Sequence, residues 1–224
     1  MRSARLDAPG RPRPTSIRIL SLLLLLAPAV ASAAEGVFEI NQTCAVQTGC
    51  FGGDAPGLPV TLSTRGSYRL TSVLSFNSVF GPLSSSFIEI TGQDVDLDLN
   101  GFGLRCSNVL TGDPCTGTTA AGVSLTGVAR KVRIHDGSIS GMPGDGVFGV
   151  NSSQIQLENL RVSESGRNGL QANTGSRIEG CTVVDSAQQG IVAGTDSIVS
   201  RNVVQNSGGI QGAGNYCGAT LGCP

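Results

Sequence analysis

Apolar and polar positions along this chain recur with a period in the low twenties. Four stretches, 134–139, 157–162, 178–183 and 199–204, begin 23, 21 and 21 residues apart. Each is apolar at its first and sixth positions: Ile134 and Ile139, Leu157 and Val162, Ile178 and Val183, Val199 and Val204. The first three copies carry a glycine twelve residues after their start, Gly146, Gly169 and Gly190, followed by Val147, Leu170 and Ile191. Two short alternating strands per copy, with polar corners between them, predict a solenoid. A leucine-rich repeat has a similar period but needs a Leu and Asn framework that these copies lack. A parallel β-helix fits: each copy forms one coil of about 21–23 residues, apolar positions point inward, and like residues stack at about 4.8 Å.

The pattern continues upstream. Residues 94–104 alternate with period two, and Leu99, Phe102 and Leu104 are expected in the columns of Ile134, Gly137 and Ile139. From Leu99 to Gly122 is 23 residues against twelve in the later coils, so an eleven-residue loop is inserted, and it holds Cys106 and Cys115. Stretches 66–71 and 87–91 read as strands of the first coils. Cys181 falls in the column of Leu160 and Gly137 and is expected to be a buried apolar side chain rather than a reactive thiol.

Composition agrees with an all-β fold. Glycine is abundant (32 of 224 residues) without a three-residue period, which excludes collagen, and the 39% hydrophobic and 14% charged residues exclude a disordered chain. A net charge of -1 argues against nucleic-acid binding. Residues 1–33 combine five arginines, an apolar run over 19–30 and the motif Ala31, Ser32, Ala33, which reads as a cleaved secretory signal peptide. The apolar run is too short to span a bilayer, so no membrane span is expected after cleavage. Removing that segment, with its five arginines and Asp7, leaves ten basic and fifteen acidic residues and a net charge of about -5. An exported protein, periplasmic or extracellular, is expected.

Cysteine spacing fits an oxidising compartment. Cys44 with Cys50, Cys106 with Cys115, and Cys217 with Cys223 are predicted to form three local disulfides, and the absence of a C-x-x-C pair makes zinc thiolate sites unlike this pattern. The expected layout is a signal peptide at 1–33, an N-terminal cap at 34–60 containing the Cys44/Cys50 loop, a parallel β-helix at 61–216 and a C-terminal cysteine loop at 217–224.

Gly66, Ser67, Tyr68, Arg69, Leu70 and Thr71, then 88–91, then 95–102, then Gly137 to Gly141, together with the ending from Gly214 to Pro224, resemble exported bacterial right-handed parallel β-helix proteins of the pectin-lyase-like superfamily. The likeness runs from about residue 60 to the C-terminus. It implies a three-faced right-handed stack, in a superfamily that includes polysaccharide lyases, hydrolases and epimerases. The Asn-Thr-Asp, Asp-Asp and Gly-His-Gly motifs of that superfamily's hydrolases do not occur here.

Candidate chemistry is sparse. The one histidine, His135, is expected at a solvated corner, and no nucleophile elbow marks a Ser-His-Asp triad. Asp94, Asp96 and Asp98 on one strand would share an outward face, where calcium is the cation such carboxylates suit; otherwise no cofactor is expected. Stacking places His135, Glu158 and Glu179 in one column and Glu164 and Asp185 in another, giving an acidic surface patch for a sugar or a metal. With no catalytic residues recognised, the expectation is a non-enzymatic protein presenting a face to glycan or another cell-envelope component. The alternatives are a polysaccharide-active enzyme using Glu158, Glu179, Glu164 and Asp185, and a self-assembling surface protein.

Overall fold

Alternation in each repeat sends every second side chain to the interior, and the strands this produces pair in parallel from coil to coil. The computed structural model describes residues 36–117, 119–127 and 129–212, with the backbone alone of Tyr216–Cys217 and Thr220–Leu221. The expected signal peptide and the Cys217 to Cys223 pairing lie outside the described residues.

Each coil contributes to three parallel ladders rather than two. The first ladder runs through Phe38–Ile40, Gly66–Leu70, Val95–Asp98, the first half of Arg133–Ser140, the first half of Gln156–Ser163, Arg177–Glu179 and Ile198–Ser200, ending on Tyr216–Cys217. The second comprises Leu74–Asn77, Gly103–Ser107, the latter halves of Arg133–Ser140 and Gln156–Ser163, Thr182–Val184 and Val203–Gln205. The third has seven strands, Val60–Leu62, Ile88–Ile90, Val123–Leu125, Val147–Gly149, Leu170–Ala172, Ile191–Ala193 and Ile210–Gln211. The stretch expected to hold one strand at 134–139 is two, bent between.

The bend has a local cause. Asp136, Asn159, Gly180 and Arg201 form one corner column with φ near +60°, and Gly141, Glu164, Asp185 and Asn206 form the next. A third column holds Lys131, Gln154, Gly175 and Asp196. One left-handed residue turns the chain sharply while backbone hydrogen bonds to the next coil continue, and short Asp and Asn side chains tolerate it best.

Inward columns are continuous. Leu97, Ile134, Leu157, Ile178 and Val199 stack in the first ladder, Leu104, Ile139, Val162 and Val183 in the second, and Val60, Ile88, Val123, Val147, Leu170 and Ile191 in the third, all buried. Cys181 lies beside Leu160 and is buried, as expected, and burial pushes its thiol up to about 11. It is therefore protonated and inert at neutral pH.

Two registers differ from expectation. Leu97, not Leu99, pairs with Ile134, because Asn100 and Gly101 are both left-handed and lengthen that corner by two residues. Leu99 is still buried, and it fills the space beside Gly137, where a Cβ would overlap it. The stack also begins earlier than residue 61: Phe38–Ile40, within the expected cap, pairs with Tyr68 to Leu70, and Phe38, Phe51 and Tyr68 cluster there with ring centroids 5.1–5.5 Å apart. The Cys44–Cys50 disulfide closes this segment, and Cys106–Cys115 closes the inserted loop.

Candidate functional site

The outer face of the first ladder is a charge lattice. One column reads Arg69, Asp98, His135, Glu158, Glu179 and Ser200, and its neighbour Ser67, Asp96, Arg133, Gln156, Arg177 and Ile198. Stacked carboxylates repel, and arginines of neighbouring rungs neutralise them. Arg133 places Nε and Nη2 at 3.0 and 2.7 Å from Glu158 Oε2 and sits 3.7 Å from Asp96. Arg69 Nε lies 3.0 Å from Asp98. Arg177 and Arg201 both grip Glu179 and hold its carboxyl below the usual carboxylate range, Arg177's hydrogen bond contributing most.

That depression has a sign. A carboxylate whose pKa falls on folding stabilises the protein above its unfolded value of roughly 4 and loses the contribution as pH drops through the lower folded value. Thermal melts from pH 5 down to pH 2 are therefore expected to fall less steeply for Glu179→Gln than for the parent; parallel curves would show that Glu179 is not so held.

His135 differs from expectation. It occupies a strand position, with Asp136 taking the corner, and neighbouring rungs leave it only 7% exposed. Its Nδ1 is 2.7 Å from Asp136 Oδ2 and 3.9 Å from Asp98 Oδ1, and its Nε2 is 3.3 Å from Asp96 Oδ1. Asp136 also accepts from Asn159 Nδ2, and these two bonds, the histidine's first, keep its carboxyl low. Asp94 does not share the face of Asp96 and Asp98: it is a left-handed corner residue 4.0 Å from Lys131 Nζ. The aspartate triplet is thus a pair, joined by His135 and Asp136 from the next coil.

The four acidic residues expected as one patch are divided. Glu158 and Glu179 belong to the first ladder and are ion-paired, whereas Glu164 and Asp185 sit at the corner after the second ladder. Glu164 borders a groove of about 450 Å³ on the second ladder's outer face. Gly103 makes that groove, since a Cβ there would meet Ser138 Oγ at 2.6 Å. Its lining includes Phe102, Arg105, Ser138, Ser140 and Ser163, and the loop closed by Cys106–Cys115 walls it at Gly112. A neighbouring hollow of about 400 Å³ shares Gly101 and Ser138 and adds Asn159 and Arg161. Arg105 and Arg161 are exposed, and no carboxylate pairs with either guanidinium among the described residues. The sequence signal for these groove residues is their outward parity on the second strand of each coil, which reading 134–139 as one strand hides. A larger space, about 570 Å³, opens beside Gly36, Phe38, Arg65 and Asp94 at the start of the stack.

The fold and these faces define a repeat scaffold carrying its chemistry on its sides. The family model described as right handed beta helix region matches residues 84–221, and the chain belongs to that family. Searches of curated proteins and of solved structures return no match. Among the described residues, no helix is long and apolar enough to cross a membrane.

Proposed function

We propose that the protein is an exported, non-catalytic β-helix whose second-ladder groove holds a glycan bearing carboxylate or sulfate groups. The observation that carries this reading is the contrast between two faces. Arginines of the first ladder are spent on carboxylates within the fold, whereas Arg105 in the groove and Arg161 in the hollow beside it have no carboxylate partner among the described residues. A planar guanidinium matches a carboxylate or sulfate through two parallel hydrogen bonds, and serine hydroxyls exchange readily with sugar hydroxyls. Phe102, half-buried at the groove, offers an apolar surface to a sugar ring. Glu158 and Glu179, carboxylates on adjacent rungs, are engaged by arginine and lie on another face, which supports binding without bond cleavage.

Affinity chromatography on uronate-bearing and neutral polysaccharides tests this reading, with chain lengths measured after incubation. Retention on the acidic matrix, weakened by salt and lost in Arg105→Ala with Arg161→Ala, and no shortening of any chain, is the expected result. Shortening that disappears in Glu158→Gln or Glu179→Gln would make the protein a polysaccharide-active enzyme. Absence of retention on every matrix would remove the glycan.

A further inference from the structure

We propose that Asp98, His135 and Asp136 form a binding site for a divalent transition metal of the Zn²⁺ type, with Asp96 as the carboxylate behind the histidine. The site adjoins the surface proposed for glycan, since Asp136 lines the hollow that holds Arg161, but it does not depend on that reading.

One ligand atom from each of the three residues, His135 Nδ1 and a carboxylate oxygen of Asp98 and Asp136, can be chosen so that all lie within 4.8 Å of one another. On a tetrahedral ion with bonds of about 2.1 Å, ligand atoms stand about 3.4 Å apart. The Nδ1 separations of 2.7 Å to Asp136 and 3.9 Å to Asp98 bracket that edge, and the third edge, between the two carboxylates, is within 4.8 Å.

The second observation is independent of the acidic cluster. His135 Nε2 and Asp96 Oδ1 are both buried without a hydrogen-bond partner, although they lie 3.3 Å apart and Arg133 Nη1 stands 3.7 Å from the same Asp96 oxygen. In a neutral ring whose Nδ1–H donates to Asp136, Nε2 is an acceptor, and it lies beside another acceptor. Buried unpaired polar atoms are costly, and natural proteins seldom leave two together. A metal on Nδ1 resolves the conflict, because it displaces that proton and fixes the tautomer with hydrogen on Nε2. A small turn of the ring or of the Asp96 carboxylate then lets Nε2–H donate to Asp96, the carboxylate-histidine-metal relay that orients metal-bound imidazoles.

The donor set also selects the ion. An imidazole nitrogen with two carboxylates suits zinc and its neighbours, whereas calcium asks for six or more oxygens. Surrounding charge is compatible: Arg69 holds one oxygen of Asp98 and Asn159 the oxygen of Asp136 turned away from the ring, while Asp98 Oδ1, nearest His135 Nδ1, accepts from Asn100 N–H at 2.6 Å and keeps a second lone pair for the ion.

The chain contains one histidine, so its ring signals in an NMR spectrum of the untagged protein are unambiguous. After EDTA treatment and desalting, ZnCl₂ is titrated into the protein and followed by these signals and by calorimetry, with CaCl₂ in parallel. The expected result is one Zn²⁺ bound per chain with a shift of the histidine ring, loss of that binding in Asp136→Asn and His135→Asn, and its retention in Glu158→Gln. Asp136 is exposed, so Asp136→Asn is expected to fold even if the buried histidine proves essential to the stack. A ring carrying both protons would satisfy Asp96 and Asp136 without an ion. In that case Zn²⁺ leaves the histidine signals where they were, and the proposal falls. Calcium binding as tight as zinc would also overturn it.

Discussion

Val183→Asp is expected to destabilise the stack severely, lowering its melting temperature well below the parent's. Val183 is completely buried in the second ladder, between Val162 and Val204 of adjacent coils, and the buried polar residues described include no lysine or arginine that could neutralise a carboxylate there. An unpaired buried charge costs about 3–5 kcal/mol, against a total stability of roughly 5–15 kcal/mol for a domain. Val162→Asp, one coil earlier in the same column, should behave alike. Circular dichroism melts decide the matter: a variant that melts with the parent would mean that the column does not face inward.

Gly169→Ala is the second large expected effect, and its cause is space rather than backbone freedom. Gly146, Gly169 and Gly190 have φ in the ordinary range, so alanine is conformationally acceptable at each. A Cβ on Gly169, however, would overlap Val183 Cγ1 and approach Gly190 O to 2.6 Å. The valine of one coil therefore packs into the gap left by the glycine of the preceding coil, and the same relation recurs for Gly146 with Val162 and for Gly190 with Val204. Neither a backbone carbonyl nor a β-branched side chain can retreat, and overpacking of this kind costs about 1–3 kcal/mol. Urea denaturation should show that loss for Gly169→Ala, while Gly52→Ala, where a Cβ meets nothing within 4 Å, should stay within about 0.5 kcal/mol of the parent. Equal stability of the two variants would remove the interlocking just described.

The repeat is legible in the sequence because a parallel stack places chemically like residues over one another, so the spacing of Ile134, Leu157, Ile178 and Val199 is enough to mark a column. The glycines twelve residues on are legible for the same reason. Corners are harder. Left-handed residues include Asp, Asn, Glu, Gln, Lys, Arg and Gly, so composition does not mark them, and the double corner at Asn100 and Gly101 displaces Leu99 from its expected column. The candidate sites are harder still. Burial of His135 depends on side chains arriving from the coils on either side of it, contacts separated by more than twenty residues in sequence. The groove depends on a missing side chain, Gly103, and on a wall supplied by the inserted loop.

That loop leaves the stack after Ser107 and returns at Val123, yet Val123 pairs with Val147 and Ile88 in unbroken register. A detour at a corner is forgotten one strand later. Length can therefore change at this edge, by evolutionary insertion or by grafting, without renumbering any column above or below, and the side surface is free to diversify while the coils that carry it stay the same.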